Sequence, residues 1–269
     1  MEITRRPLQG VSNIIRFNWP FYAIAAVALA LLIFFRAFLP EPIQHVTLTI
    51  AVLISAALLV SLIISHVIYD HSSLYELRWM DGNAHLAILN VSAGFDEITP
   101  LIRQKRPDAV LTNCDFFDPA THTEKSILRA RKAYPPTPGS FSVSPHQLPF
   151  ADRSFDAVIA FLSAHEIRND AERAAFFTEL RRVLTDDGEI IITEHLRDRN
   201  NFLAYTIGFF HFHSRSSWMR TFDAAGLKLM HETKTTPFIT TFILKKHGAP
   251  SSLHRNPADG TGAGARHLP

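Results

Sequence analysis

Cysteine is nearly missing from this 269-residue chain, in which Cys114 stands alone. A single thiol excludes an internal disulfide and a cysteine-based zinc site, and it fits a reducing compartment. Charge is sparse too. Asp, Glu, Lys and Arg make up 19% of residues against 47% hydrophobic, and 27 basic side chains nearly cancel 25 acidic ones, leaving a net charge of +2. That balance gives no basic surplus, so no nucleic-acid partner is expected. The apolar content excludes a disordered or fibrous chain. Histidine is plentiful at 14 residues, yet no His-Glu-x-x-His spacing occurs. His211 and His213 lie two apart and would face differently on a helix, so no metal site is expected.

Apolar sequence is what the chain has in quantity, and it is concentrated near the start. Residues 21–39 read FYAIAAVALALLIFFRAFL and residues 46–68 read VTLTIAVLISAALLVSLIISHVI. The second run holds no Asp, Glu, Lys or Arg, and at ~1.5 Å per residue it reaches ~34 Å, enough for a hydrocarbon core with some tilt. The first run carries Arg36 near its end, where the side chain can reach the interface, and Trp19 and Tyr22 at its other end. The short connection 40–45 forces an antiparallel hairpin and has no Lys or Arg, whereas Arg5, Arg6 and Arg16 precede the first run. The positive-inside rule then places both termini in the cytoplasm, with Arg36 as a weak contrary signal. A cleaved signal peptide fits less well, because the first run is too long and a second follows it.

From about residue 85 short apolar runs alternate with amphipathic stretches. Strands are expected at 86–91, 109–113, 140–143, 155–161 and 189–193, with 227–233 and 238–244 as a closing pair; helices are expected at 96–105, 123–133, 170–184 and 216–225. Such alternation implies a parallel sheet covered on both faces, here with an antiparallel edge. The chain thus divides into a cytoplasmic segment (1–18), a transmembrane helical hairpin (19–68), a linker that could also cover the site (69–84), an α/β domain (85–246) and a disordered tail rich in Gly, Pro, Ser and Ala (247–269).

One stretch is more specific than the rest: LPFADRSFDAVIAFLSAHEIRND at 148–170, then ELRRVLTDDGEIIITEH at 179–195. It closely resembles the class I S-adenosylmethionine-dependent methyltransferases, above all the branch acting on quinones, sterols and phospholipids. The resemblance covers about residues 85–246. The chain is also similar to a group of membrane-anchored bacterial proteins sharing AGFDE and AHEIRND segments. The resemblance implies a Rossmann-like, doubly wound seven-stranded sheet, with S-adenosylmethionine at the carboxyl ends of its strands. The cofactor loop would follow the first strand at Ser92, Ala93, Gly94 and Phe95. Gly94 supplies the missing Cβ that close backbone approach requires, and the next helix offers free N–H groups to the cofactor carboxylate. The family's loop is acidic and has three glycines, whereas here Asn90 replaces the acid and Gly94 is the one glycine. Asp115 matches the acid for the ribose hydroxyls, with Asp118 as runner-up. Ser144 stands where the family has an acid for the adenine, and Pro145, Phe116 and Phe161 would complete the pocket. His165 could act as a general base, with Glu166 orienting it or binding a cationic acceptor. The other reading makes His165 a strand cap and 166–168 a surface turn.

The apolar stretch 200–212 is too short to span a bilayer; it is a lid over a lipid acceptor, an interfacial helix, or a core helix. The basic helix with Lys125, Arg129, Arg131 and Lys132 is a solvated face or a headgroup contact. The expectation is a two-pass bacterial inner-membrane methyltransferase whose catalytic domain is cytoplasmic. Its partners would be the lipid bilayer and a hydrophobic quinone-like, isoprenoid or phospholipid acceptor, and its hairpin could pair with a copy of itself. The alternative is a degraded fold that serves as a membrane-bound binding or scaffolding module.

Overall fold

The computed structural model describes residues 5–81, 85–121 and 124–248; the expected disordered tail lies, from residue 249 on, outside the described residues. Two long helices dominate the first part, α2 (Trp19–Arg36) and α3 (Glu41–His66), preceded by a short α1 (Gln9–Phe17). Pro stands in the first turn of both long helices, where its fixed φ is already helical and its missing N–H costs nothing. At ~1.5 Å per residue they measure ~27 and ~39 Å. No residue of α2 is buried and only Ala51 and Ser65 of α3 are. Both are long and apolar enough to cross a membrane. Arg36, the one basic side chain at the hairpin turn, folds back and donates Nε–H to the Gln44 carbonyl at 3.0 Å.

The segment before the hairpin is more than a polar lead-in. Gly10, Asn13 and Phe17 recur at helical spacing and form the buried stripe of α1. Asp70 caps this helix from beyond the hairpin, its carboxylate accepting from the Gly10 and Val11 N–H groups at 2.6 and 3.0 Å. Gly10 is required here, because a Cβ would collide with the Tyr69 side chain. The Arg129 side chain donates to the carbonyl of Phe17, and Tyr134 O–H donates to Asn13 Oδ1 at 2.9 Å. These bonds fasten α1 to the domain.

Seven strands follow: β1 (Ala87–Ser92), β2 (Val110–Asp115), β3 (Phe141–Ser142), β4 (Phe155–Phe161), β5 (Leu184–His195), β6 (Leu227–Thr236) and β7 (Ile239–Lys246). Their order is β3-β2-β1-β4-β5-β7-β6, all parallel except β7, which runs antiparallel to both neighbours. Helices α4 (Thr99–Lys105), α5 (Lys125–Ala133), α6 (Asp170–Val183), α7 (Arg199–Tyr205) and α8 (Arg215–Ala224) connect them. Strand order reverses between β1 and β4, which places the binding crevice above their carboxyl ends. The β5 strand begins five residues earlier than the apolar run suggests, because Leu184 already pairs with Phe155 before the ladder slips and resumes at Glu189.

Alternate residues along each strand face opposite layers. Leu89, Val91, Val158, Ala160, Ile190 and Ile192 pack on Phe176, Phe177 and Leu180 of α6 and on Trp218 and Phe222 of α8. Ile88, Ala157, Ile159 and Ile191 face the other way. That second face is covered partly by Ile102 of α4, and partly by the stretch expected to be a linker. Residues Val67–His71 form a π turn, and Ser73–Glu76 and Arg78–Met80 form 3₁₀ turns. They bury Ile68, Leu74, Leu77 and Met80 against the sheet. The described part of 69–84 is therefore a layer of the domain. Removing the Leu74 side chain (Leu74→Ala) should cost about 2–5 kcal/mol, as other buried leucines do. Thermal unfolding in detergent checks this, and a melting temperature equal to that of the parent chain would return the segment to linker status.

Candidate functional site

The crevice at the sheet's switch point holds a cavity of about 200 Å³. Phe161 and Leu162 at the end of β4 and His195 at the end of β5 form its floor, Phe95 and Glu97 of the first loop form one wall, and α1 and α5 roof it. Leu162 adopts φ 49°, a strained conformation for a branched residue, and its N–H bonds the Thr193 carbonyl at 2.8 Å. An aromatic cluster closes one side: the Phe95 ring lies 5.4 Å from Phe17 and 5.1 Å from Tyr134. Glu97 accepts from Tyr75 O–H at 2.7 Å and from Arg5 at 2.9 Å, and the Arg5 guanidinium stacks 3.6 Å above the Tyr75 ring.

The segment AHEIRND now has a role for almost every residue. Ala164 and Ile167 are core. Asn169 accepts from the N–H groups of Ala171 and Glu172 and so starts α6. Arg168 clamps the carbonyls of Phe210 and His211, which fixes the 3₁₀ turn Thr206–His211 beside the cavity. His165 and Glu166 face the cavity from a 3₁₀ turn. His165 Nδ1–H donates to Glu194 Oε2 at 2.6 Å, and the same carboxylate accepts the His165 backbone N–H at 3.2 Å. Burial alone would lower the His165 pKa, but the charges of Glu194 and Glu166 and the Glu194 hydrogen bond outweigh it and push it up to about 10. The imidazole as held is therefore a cationic donor at neutral pH, better suited to an electron-rich oxygen than to accepting a proton.

His195 has the opposite character. Its Nδ1–H donates to Asn201 Oδ1 at 3.0 Å and its Nε2 accepts from Tyr69 O–H at 2.7 Å. Burial lowers its pKa to about 4, so it stays neutral, and its ring stacks on Phe212 at 4.6 Å. Glu194 supports the site from the stretch 179–195, where sequence reasoning had not singled it out. Tyr69 and Tyr75 come from the expected linker, and His211, set aside in the sequence as a metal ligand, lines the cavity from a turn far along the chain.

The residues expected to hold the cofactor divide. Gly94 sits at the end of β1 with φ 86° and a Cβ there would collide with Arg131. Ser92 and Ala93 lie in the same turn, Phe95 and Phe161 line the cavity, and Asp115 ends β2 beside Ser92. Asn90 differs from the expectation. Its amide donates to Asp96 Oδ1 at 3.2 Å and Thr99 Oγ1 at 3.0 Å inside the loop, so it is not offered outward. Asp96 Oδ1 also accepts the N–H groups of Ile98 and Thr99 at 3.1 Å, so the donors ahead of α4 are already engaged. Phe116 is fully buried against Phe176 at 5.0 Å and belongs to the core, the bulkier side of an extended backbone having turned inward. Ser144 and Pro145 lie on the turn after β3, where Ser144 Oγ accepts the His146 N–H at 3.2 Å, and neither lines the cavity. Asp118 caps its own turn through the Ala120 N–H at 2.8 Å.

Asp115 itself is covered. Arg131 reaches over Gly94 from α5, pairs with the Asp115 carboxylate and stacks 4.4 Å above the Phe117 ring. A guanidinium therefore stands where two ribose hydroxyls would bind. Its side chain is one-quarter exposed. The glycine turn and Asp115 are the residues that would hold a nucleoside, and Arg131 would have to leave Asp115 for one to bind.

Residues 89–192 match the model of a family described as "Methyltransferase domain". A demethylmenaquinone methyltransferase from Thermotoga maritima is 33% identical over 110 residues, a match covering 40% of this chain and 43% of that one. The match thus spans less than half of the curated relative. Among solved structures, an S-adenosylmethionine-dependent methyltransferase from Aquifex aeolicus aligns with TM-score 0.49 at 13% identity, over 67% of this chain and 92% of its own. One from Clostridium acetobutylicum aligns with TM-score 0.46 at 10% identity, over 64% and 89%. The sequence match over 89–192 and the order of the strands make this domain similar to S-adenosylmethionine-dependent methyltransferase domains.

Titration calorimetry with S-adenosylmethionine tests the cradle. Asp115→Ala should weaken binding tenfold or more, the cost of a lost charged hydrogen-bond pair. Arg131→Ala should tighten it, because the competing cation is gone. Weaker binding in Arg131→Ala would show instead that the guanidinium helps to hold the cofactor.

Proposed function

We propose that this chain is a membrane-anchored methyltransferase that moves a methyl group from S-adenosylmethionine to a flat, hydrophobic acceptor of quinone type. The observation that carries this reading is the position of the cavity. It lies at the carboxyl ends of β1, β4 and β5, directly beneath α1 and beside the base of the apolar hairpin. The segment once open to three readings joins the two. Its inner side contributes His211 and Phe212 to the cavity, while Phe202, Leu203, Ile207 and Phe210 are exposed at 47–71%. Large apolar side chains left in the open beside a membrane-length helix suit the headgroup boundary of a bilayer.

S-adenosylmethionine, when bound, supplies an electrophilic methyl group on a sulfonium sulfur. Asp115 would accept hydrogen bonds from its ribose, and the Gly94 turn would let the backbone approach. The other residues prepare the acceptor. Phe17, Phe95, Phe161 and Phe212 offer ring faces to a flat apolar molecule. The cationic His165 donor, held by Glu194, can fix and polarise an oxygen of that molecule. Proximity and orientation supply most of the rate in such a transfer. Anchoring adds effective concentration, because a membrane-dissolved acceptor meets a site already at the bilayer. The quinone class draws support from the name of the Thermotoga maritima relative.

Residue contacts also constrain topology. Because α1 and the domain after the hairpin pack together, both must lie on one side of any membrane that α2 and α3 cross. Cysteines placed at Arg16 and Lys228, with buried Cys114 as a silent background, should react with an impermeant maleimide from the same face. Reaction from opposite faces would overturn the two-pass anchor. For the activity, membranes incubated with the purified chain and isotopically labelled S-adenosylmethionine should yield a labelled quinone-type lipid by mass spectrometry. Label confined to protein or to water-soluble products would overturn the hydrophobic acceptor. The scaffolding alternative is favoured by one observation, the Arg131 cap on Asp115, and it predicts no heat on titration with cofactor at millimolar concentration.

A further inference from the structure

A second cluster within the cavity wall has no use in cofactor binding. His165 and Glu166 come from the turn after β4, and His211 from the 3₁₀ turn after α7, 45 or more residues later in sequence. One donor atom of each lies within 4.8 Å of the other two, and His165 and Glu166 are buried. We infer that His165, Glu166 and His211 form a binding site for a divalent transition-metal cation, Zn²⁺ being the fitting case, with an open position toward the cavity that takes an oxygen of the acceptor.

Distances support a metal over a set of hydrogen bonds. Glu166 Oε1 is 3.5 Å from His165 Nε2 and 3.8 Å from His211 Nε2. Both are too long for good hydrogen bonds, for which ~2.7–3.2 Å is usual. They are close to the ~3.4 Å edge of a tetrahedron with Zn–N and Zn–O bonds of ~2.0–2.1 Å, and the set as a whole, spread over up to 4.8 Å, would draw together on the ion. The ligand set of two imidazoles and one carboxylate is that of a catalytic rather than a structural zinc site, in which the fourth position stays free.

The outer contacts point the same way. A ligating imidazole usually gives its other nitrogen to a carboxylate, which sets the tautomer and raises the basicity of the ligand nitrogen. Here both do. His165 Nδ1 is held by fully buried Glu194 at 2.6 Å, and His211 Nδ1 by Glu124 at 2.7 Å. In each case Nε2 is left aimed at Glu166, and an ion bound there would take the place of the proton that His165 Nε2 holds in the metal-free chain. The two rings meet edge to face, with centroids 4.8 Å apart. Three carboxylates thus converge on two imidazoles. Since all three ligands line the cavity, a hydroxyl or carbonyl oxygen entering it would complete the coordination. Bound there, the hydroxyl of a quinol would become more acidic and its oxygen would be fixed in place. This role rests on the transferase reading above; binding of the ion does not.

The test uses the full-length chain in detergent, stripped with chelator and dialysed against Zn²⁺ alone, with metal counted by plasma mass spectrometry. One ion per chain is expected. Co²⁺ loading should give the visible absorption of a four-coordinate site. Glu166→Gln, which keeps size and shape, and His211→Ala, at a partly exposed position, should each abolish stoichiometric binding, while His146→Ala on the far turn retains it. Glu194→Gln should weaken affinity ten- to a hundredfold, as loss of an outer-shell carboxylate does. Substoichiometric metal in the parent chain, or an ion retained by Glu166→Gln and His211→Ala, would overturn the site. Labelled methyl transfer that survives complete removal of the ion would overturn its role as an acceptor clamp and leave the transferase standing. A bound ion without methyl transfer would uphold the site and remove the transferase.

Discussion

The contact on which the structure depends is the seat of α1 on the domain. A helix that precedes the hairpin is capped by Asp70, which follows it, and is fastened to α5 through Phe17, Asn13 and Tyr134. That contact closes the chain into a loop with the two apolar helices at its far end. It places the ends of the hairpin together and puts a roof on the crevice at the switch point. Without it that crevice would be open, and the two apolar helices would be joined to the domain by the chain alone.

The chemistry inside follows from electrostatics in a low-dielectric pocket. Two of the histidines that line the cavity have partners that make them opposites. His165, between Glu194 and Glu166, holds a proton tightly; His195, between Asn201 and Tyr69, is buried without a charged partner and stays neutral. Positive charge at this end of the cavity is thereby held on His165. Aromatic rings make up much of the remaining lining. Arg131 adds a further charge outside the cavity, paired with Asp115.

Much of this was legible in the sequence. The apolar run of β4 was read to the residue, because a fully buried strand leaves no alternation to misplace its ends. The SFDAVIAF and AHEIRND segments marked the strand end and the turn that carry His165 and Glu166. The hairpin announced itself by length and by the absence of charge. What stayed hidden was set by contacts between distant residues. The nine residues of α1 form a stripe too short to stand out, and their helix is stabilised by a carboxylate 60 residues away. Residues 67–80 have no regular period because they run as π and 3₁₀ turns, yet their side chains cover a sheet face. Asn90 and Phe116 were assigned outward by family position, whereas a loop network and a core vacancy hold them inward. Arg131 read as one charge on a solvated helix, and only its reach over Gly94, which has no Cβ, brings it to Asp115.

A structure of the chain in a lipid nanodisc with S-adenosylhomocysteine tests the central claim most directly. The account predicts the nucleoside against Asp115, Arg131 turned away from it, and α1 lying at headgroup level over the cavity with α2 and α3 within the lipid. A nucleoside bound elsewhere, or an α1 detached from the domain and distant from the lipid, would contradict it.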